Sequence, residues 1–395
     1  MSEAAVVVVG AGINGLSLAF HLARRGAGPV VVLERSQVGA GATGRSGGIV
    51  RTHYADEAEI RLALEGLRWF QRWDELVGGG CGFEPVGLIV IAPPERRPQL
   101  ERSVAWQRSL GIDSRLLSAE EARDVDPALR LPEAVSHVAY EPNAGCAEPN
   151  LALRTLAEAA LRLGVEIRVG VEAGEVLHAG QRVTGVATSE GVVRAPTVVV
   201  AAGAWANRLL VPLGIDLGMR PARARVAVFP TPPGRPWPHP ACLDHVRGSW
   251  YRPVAGAATL VGVESAVDRY ARPDDTSEGV DGDFLATCAH AVTERFPVMR
   301  GAPSRGAWAG MFMESPDQRP VIGPLPPYEG LYAIAGDSGT SFKTAPAIGL
   351  GLSELILTGE SRAVDLEPFR ADRLAGGAGR RQELGYAARP GTVSR

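Results

Sequence analysis

Gly10, Gly12 and Gly15 stand in the run Gly-Ala-Gly-Ile-Asn-Gly, directly after four valines and before a helix-like segment. That is the context in which a glycine turn can hold a pyrophosphate. Gly10 permits the tight turn, Gly12 lets the backbone approach phosphate oxygens, and Gly15 lets helix and strand pack closely. Ile13 and Asn14 complete the turn, whose N–H groups face the ligand at the positive end of the helix. Glu34 follows at the end of the next strand, with Arg35 behind it. A carboxylate there accepts both ribose hydroxyls and repels a 2′-phosphate. A second feature is a charge: Lys343 is the only lysine among 41 basic residues, and it sits in a glycine turn that opens a helix. Further glycine-rich stretches at 41–48, 201–203 and 336–339 imply an extended ligand touched along its length, which favours FAD over NAD.

These residues need a scaffold. The chain has 395 residues, 45% of them hydrophobic and 22% charged, with a formal net charge of −3. This is the composition of a globular protein with a large core and without the basic footprint of a nucleic-acid binder. No apolar run approaches the ~20 residues needed to span a bilayer. The chain begins at once with a strand, so no leader is expected. The cysteines at 81, 146, 242 and 288 are scattered, without metal-type spacing, and imply a reduced, cytoplasmic setting and no metal site. A helix is expected over 56–76 from the spacing of Ile60, Leu64, Leu67 and Phe70, and Ser118 with Glu121 predicts a capping box. Strand–glycine–helix units recur near 197–210 and 331–357, with short antiparallel strands between. The fold class expected is α/β: a discontinuous Rossmann-like FAD-binding domain (1–78, 145–220, 305–370) with an inserted, largely antiparallel-sheet substrate domain (79–144, 221–304). A flexible tail is expected over 371–395.

The segments GAGINGLSLAFHLARRG, GATGRSGGIVRTHY, VVVAAGAWA and SPDQRPVIGP with GDSGTSFKTAPAIG resemble the D-amino-acid oxidase-like flavoenzymes, which include sarcosine and glycine oxidases. The resemblance spans residues 4–360. It implies that Thr43, Gly44, Arg45 and Ser46 run along the pyrophosphate and flavin and that Val171 lies near the adenine. Ala202, Gly203 and Trp205 form the middle glycine turn. Gly336, Asp337, Gly339, Thr340, Ser341, Phe342 and Lys343 would face the pyrimidine end of the flavin. Arg51 and Lys343 match the positions that hold the substrate carboxylate. His53, Tyr54, Trp250, Tyr251 and Arg252 would line the pocket, and His53, whose ordinary pKa is near neutrality, is the candidate acid/base.

Three departures qualify this. Gly310 stands near the place where monomeric sarcosine oxidases carry a flavin-linking cysteine, so FAD is expected to be non-covalent. The second lysine that those enzymes use with oxygen has no counterpart in the chain. Asp337 and Thr340 replace an aromatic residue and a histidine; Asp337 would cap the helix or contact the ribityl chain. The function implied is oxidation of the C–N bond of an amine or amino acid bearing an acidic group, with hydride passing to flavin. The acceptor would be O2 or another partner. The alternatives are an FAD-dependent monooxygenase of an aromatic substrate, or the flavoprotein subunit of a multi-subunit amine dehydrogenase.

Overall fold

The strand Val6–Val9 has no polar face and is buried throughout, as a central parallel strand must be. It pairs in parallel with Val30–Glu34 on one side and Thr197–Val200 on the other. In this computed structural model, which describes residues 2–233, 238–276 and 279–377, these strands belong to a six-stranded sheet. Its order is Val321–Pro324, Leu331–Ala335, Thr197–Val200, Val6–Val9, Val30–Glu34 and Glu166–Val169. Every pair is parallel except the first. The carboxyl ends of the central strands therefore open onto one crevice, where ligands of such sheets bind.

Two helices from opposite ends of the chain pack against each other beside this sheet. Ser17 Oγ, in the helix Ile13–Arg24, donates to the carbonyl of Ala345 at 2.8 Å, and Gly349 sits so close that a Cβ there would lie 2.3 Å from Ser17 Oγ. The expected helix over 56–76 forms as two pieces, Glu57–Gln71 and Trp73–Leu76, broken at Arg72. Asp56 caps the first, accepting from the N–H groups of Ala58 and Glu59 at 3.0 and 3.2 Å. The capping box of Ser118 and Glu121 forms as expected.

The larger sheet has nine strands. Arg220–Pro230, Ala258–Val263, Ser249–Val254 and Ala241–Asp244 run antiparallel in that order, and Ala241–Asp244 continues in parallel to Leu88–Ile91. The strand Gly306–Glu314, which the sequence groups with the cofactor-side segments, pairs in register with Arg220–Pro230 of this sheet. Its hydrogen-bonding partners, rather than chain proximity, decide its place. The first residues of the expected tail are ordered. Ala371–Gly377 forms a short helical turn with Ala371 and Leu374 buried. Arg373 Nε pairs with Asp317 Oδ2 at 2.8 Å and pins the turn to the body. Residues 378–395 lie outside the described residues.

Gly66 links this framework to the chemistry. A Cβ on Gly66 would lie 2.0 Å from the carbonyl oxygen of Lys343, so the helix Glu57–Gln71 can approach the glycine turn only without a side chain there. Gly66→Ala is expected to destabilise the protein by about 1–3 kcal/mol through overpacking, more than offsetting the gain in helix propensity. Urea unfolding checks this: the midpoint falls while the slope stays constant.

Candidate functional site

The first glycine turn is built around contacts that leave no room for side chains. Gly10 has φ +111°, and a Cβ there would lie 2.4 Å from the carbonyl oxygen of Ala201. A Cβ on Gly15 would lie 2.0 Å from the carbonyl oxygen of Gly10, the close helix–strand approach that this position requires. Glu34 Oε2 accepts from Ala11 N–H at 3.0 Å and Oε1 from Ser36 N–H at 2.9 Å, which orients its carboxylate. Thr43 Oγ1 accepts from Ile13 N–H at 3.1 Å. Asn14 Nδ2 donates to Ser341 Oγ at 2.9 Å, and Ser341 Oγ donates in turn to Asp337 Oδ2. The glycine turns at the two ends of the chain are thus tied to each other.

Between these turns and the nine-stranded sheet lies a cavity of about 700 Å³. One end is lined by Glu34, Arg35, Val171, Ala202, Gly203 and Trp205. There the Arg35 guanidinium lies 4.0 Å from the Trp205 ring centroid, and Trp205 Nε1 donates to Asp274 at 2.8 Å. The middle is lined by Gly10, Gly12, Ile13, Asn14, Thr43, Arg45 and Ser46. The far end holds Arg51, Trp250, Gly336, Asp337, Gly339, Thr340, Ser341, Phe342 and Lys343. Gly15 and Gly44 support the wall from behind; a Cβ on Gly44 would lie 2.6 Å from the carbonyl oxygen of Gly39. Asp337 does not cap the helix Ala345–Thr358, whose N-cap is Thr344. Its carboxylate braces its own turn, accepting from Gly339 N–H at 3.2 Å and from Ser341.

At the far end two cations share one aromatic ring. The Arg51 guanidinium lies 4.2 Å and the Lys343 ammonium 5.2 Å from the Tyr54 ring centroid. Their residues are only 4% and 6% exposed. Arg51 donates to the carbonyl of His53, and Lys343 Nζ donates to the carbonyl of Thr340 at 2.8 Å. Burial, and next the charge of Arg51, hold the Lys343 amine well below its ordinary value of 10.5.

Four of the sequence-predicted pocket residues lie behind the cavity wall. His53 is fully buried, its Nδ1 donating to Gln107 Oε1 at 3.2 Å. Burial, and next the charge of Arg51, push its pKa down to about 3, and its ring does not line the cavity. Tyr54 offers its ring to the two cations. Tyr251 points to the opposite face of its strand from Trp250, donating to the carbonyl of Ala291 at 3.0 Å. Arg252 shares the face of Trp250, but its guanidinium donates to the carbonyls of Gly47 and Ala147 at 2.6 and 2.9 Å and to Glu148 at 2.7 Å. It clamps the two halves of the cavity wall together.

Sequence reasoning missed the support beneath Arg51. Glu141 Oε2 accepts from Thr52 N–H at 2.9 Å and from Thr52 Oγ1 at 2.8 Å, and Oε1 accepts from Gln107 Nε2 at 2.7 Å. Burial raises the Glu141 pKa, while Thr52, Gln107 and the charge of Arg51 pull it back. These partners lie 89 and 34 residues away in the chain, and no local pattern marks them.

The cavity fits a dinucleotide flavin. Asn14 Oδ1 is buried without a protein partner, the helix Ile13–Arg24 has no side-chain cap, and a Cβ on Gly12 would project within 3.3 Å of Thr43 Oγ1. At Gly310 a Cβ would lie 2.9 Å from Arg45 Cβ, so a tethering side chain has no room there. All four cysteines are free and buried, and the cavity lining contains none of them. Among the described residues no group of three His, Cys, Asp or Glu could hold a metal ion, and no helix is long and apolar enough to cross a membrane.

Comparison with known proteins agrees. The family described as FAD dependent oxidoreductase matches residues 5–355, and the chain belongs to it. It is 29% identical to glycine oxidase of Pseudomonas putida over 92% of this chain and 97% of that one. It is 26% identical to the sarcosine oxidase subunit beta of an Arthrobacter species, covering 94% of this chain and 91% of that one. Among solved structures, L-proline dehydrogenase from P. horikoshii superposes with a TM-score of 0.87 at 25% identity, covering 95% of this chain and 99% of that chain. The protein is an FAD-dependent oxidoreductase.

Gly12 has φ −79°, a value any residue adopts, so Gly12→Val is expected to fold. The valine would occupy the place of the pyrophosphate. The variant should purify colourless, with no 450 nm absorbance and no rise in melting temperature on adding FAD, whereas the native chain gains both.

Proposed function

We propose that the protein oxidises the C–N bond of an amino acid, primary or N-alkylated, whose carboxylate sits between Arg51 and Lys343. The observation that carries this is the pair of buried cations on one ring at the end of the cavity remote from Glu34. An Arg offers a bidentate fork to a carboxylate, and a Lys adds a compact point charge. FAD held there would supply a two-electron acceptor for oxidation of the bond between nitrogen and its neighbouring carbon, the hydride leaving that carbon and water hydrolysing the imine product. The chain's own part is to bind and orient. Arg51 and Lys343 fix the carboxylate. The Glu141–Gln107–Thr52 network holds the Arg51 segment still. The turn at 336–343, which lines the cavity, would offer N–H dipoles to the negative charge of a reduced flavin ring. Glu34 takes the ribose hydroxyls, and Gly12, Asn14 and Thr43 take the pyrophosphate.

We assign segments 1–78, 145–220 and 315–370 to the cofactor half and the nine-stranded sheet to the substrate half, and we place the reaction in the cytoplasm, where four separated free thiols stay reduced. An aromatic monooxygenase is disfavoured because the Asp337 carboxylate is spent within its own turn. The likeness to an L-proline dehydrogenase favours a second reading, in which electrons leave for a partner acceptor rather than for oxygen. Mixing substrate-reduced protein with air separates the two. Reoxidation within seconds supports an oxidase; reoxidation over many minutes supports the partner.

Lys343→Met and Arg51→Met are each expected to raise the substrate dissociation constant on the order of 10- to 100-fold, the loss of one charged hydrogen bond. Anaerobic flavin reduction followed at 450 nm measures it. The pH dependence follows from the lowered Lys343 pKa: the ammonium binds carboxylate, so affinity for a carboxylate inhibitor falls as pH rises through a value below 10.5. Lys343→Met should lack that inflection. If the variant reduces as fast, binds as tightly and keeps the inflection, the assignment is wrong.

A further inference from the structure

The reading of Arg51 and Lys343 as the carboxylate site leaves open what the rest of the substrate touches. The roof of the cavity over that end is one cross-strand row of the nine-stranded sheet. Leu243 pairs with Trp250, Trp250 with Gly262, Gly262 with Val226, and Val226 with Trp308. Leu243, Trp250 and Val226 of this row line the cavity, and so do Ala224 and Gly310, a directly opposed pair two residues along the same two strands.

Trp250 is wedged into this roof by two glycines from different parts of the chain. A Cβ on Gly262 would lie 2.3 Å from the indole, and a Cβ on Gly47 would lie 2.8 Å from its outer edge. Ile49, two residues before Arg51, packs in the same hydrophobic cluster as Leu243 and Trp250. Trp308, at the far end of the row, turns its Nε1 to the carbonyl of Arg45 at 3.0 Å. The surface next to the carboxylate site is therefore Ile49, Leu243, Trp250 and Val226, all of them without charge. The charged side chains at that end of the lining are Arg51, Asp337 and Lys343, and Asp337 is held within its own turn.

We propose that the preferred substrate is an amino acid with an apolar side chain, and that Trp250 is the residue that sets this preference. With its carboxylate at Arg51 and Lys343, the substrate lays its side chain on the Ile49–Leu243–Trp250–Val226 surface. Each methylene buried there tightens binding about fourfold. A polar or charged side chain would lose its water there without gaining a partner. Glycine and sarcosine leave the surface uncovered.

The test is anaerobic stopped-flow reduction of the holoenzyme by glycine, sarcosine, aspartate, leucine, phenylalanine and N-methylleucine, with both enantiomers of the chiral ones. The ratio of limiting reduction rate to dissociation constant is expected to be at least tenfold higher for the best apolar substrate than for glycine, sarcosine or aspartate. Trp250→Ala should shrink that advantage at least tenfold, with Trp250→Phe between. If Trp250→Ala fails to retain flavin, the Phe variant and the native panel decide. The proposal is overturned if glycine, sarcosine or aspartate is the best substrate, or if the Trp250 variants slow every substrate alike. Should small or acidic amino acids alone reduce the flavin, this inference fails while the C–N reading stands. Should none reduce it, both fail.

Discussion

Two basic groups buried over one tyrosine ring are the constraint on which the rest of this molecule depends. Taking an ammonium and a guanidinium out of water costs several kcal/mol per ion, and each repels the other. The protein meets that cost with carbonyls and carboxylates. The His53 and Thr340 carbonyls accept from Arg51 and Lys343. Glu59, Asp337 and Glu141 all act to favour the charged form of Lys343, though burial and Arg51 outweigh them. In the reading proposed above, a substrate carboxylate between the two cations would supply the remaining counter-charge. The same electrostatics would then favour an anion there.

Holding those charges in place explains features that otherwise look unrelated. The segment Arg51–Tyr54 has no regular structure, and Glu141 with Gln107 substitutes for the missing ladder. Lys343 sits in a turn whose backbone touches Gly66 of one helix and whose Ser341 reaches Asn14 of another, 327 residues away in the chain. Arg252 ties the sheet to both Gly47 and Ala147 across the cavity wall. The cofactor turn and the substrate cations are therefore parts of one packed unit. A shift in one moves the other.

What the sequence makes legible here is what local chemistry dictates. The Gly10–Gly15 turn, Glu34, the capping box at Ser118 and the helix beginning at Ala345 follow from glycine conformations, caps and periodicity within a few residues. The lone lysine draws attention by count alone. Pairings across the chain leave no such trace. Trp250, Tyr251 and Arg252 read as one pocket-lining run, yet strand alternation turns Tyr251 into the opposite core, and carbonyl partners more than a hundred residues away consume Arg252. His53 looks like an acid/base because its ordinary pKa is near neutrality; its burial against Gln107, which lowers that pKa and keeps the ring out of the cavity lining, leaves no trace in the sequence. The strand Gly306–Glu314 and the turn at Ala371–Gly377 find their places through partners that no window of sequence contains.

The role proposed for Arg51 and Lys343 is together to hold the substrate's carboxylate beside the flavin. A crystal structure of the holoenzyme, reduced anaerobically and soaked with an amino acid that reduces it, tests this most directly. Carboxylate oxygens are expected within hydrogen-bond distance of the Arg51 guanidinium and of Lys343 Nζ, about 3 Å from each. A carboxylate bound elsewhere in the cavity, or an amine seated between the two cations, would contradict it.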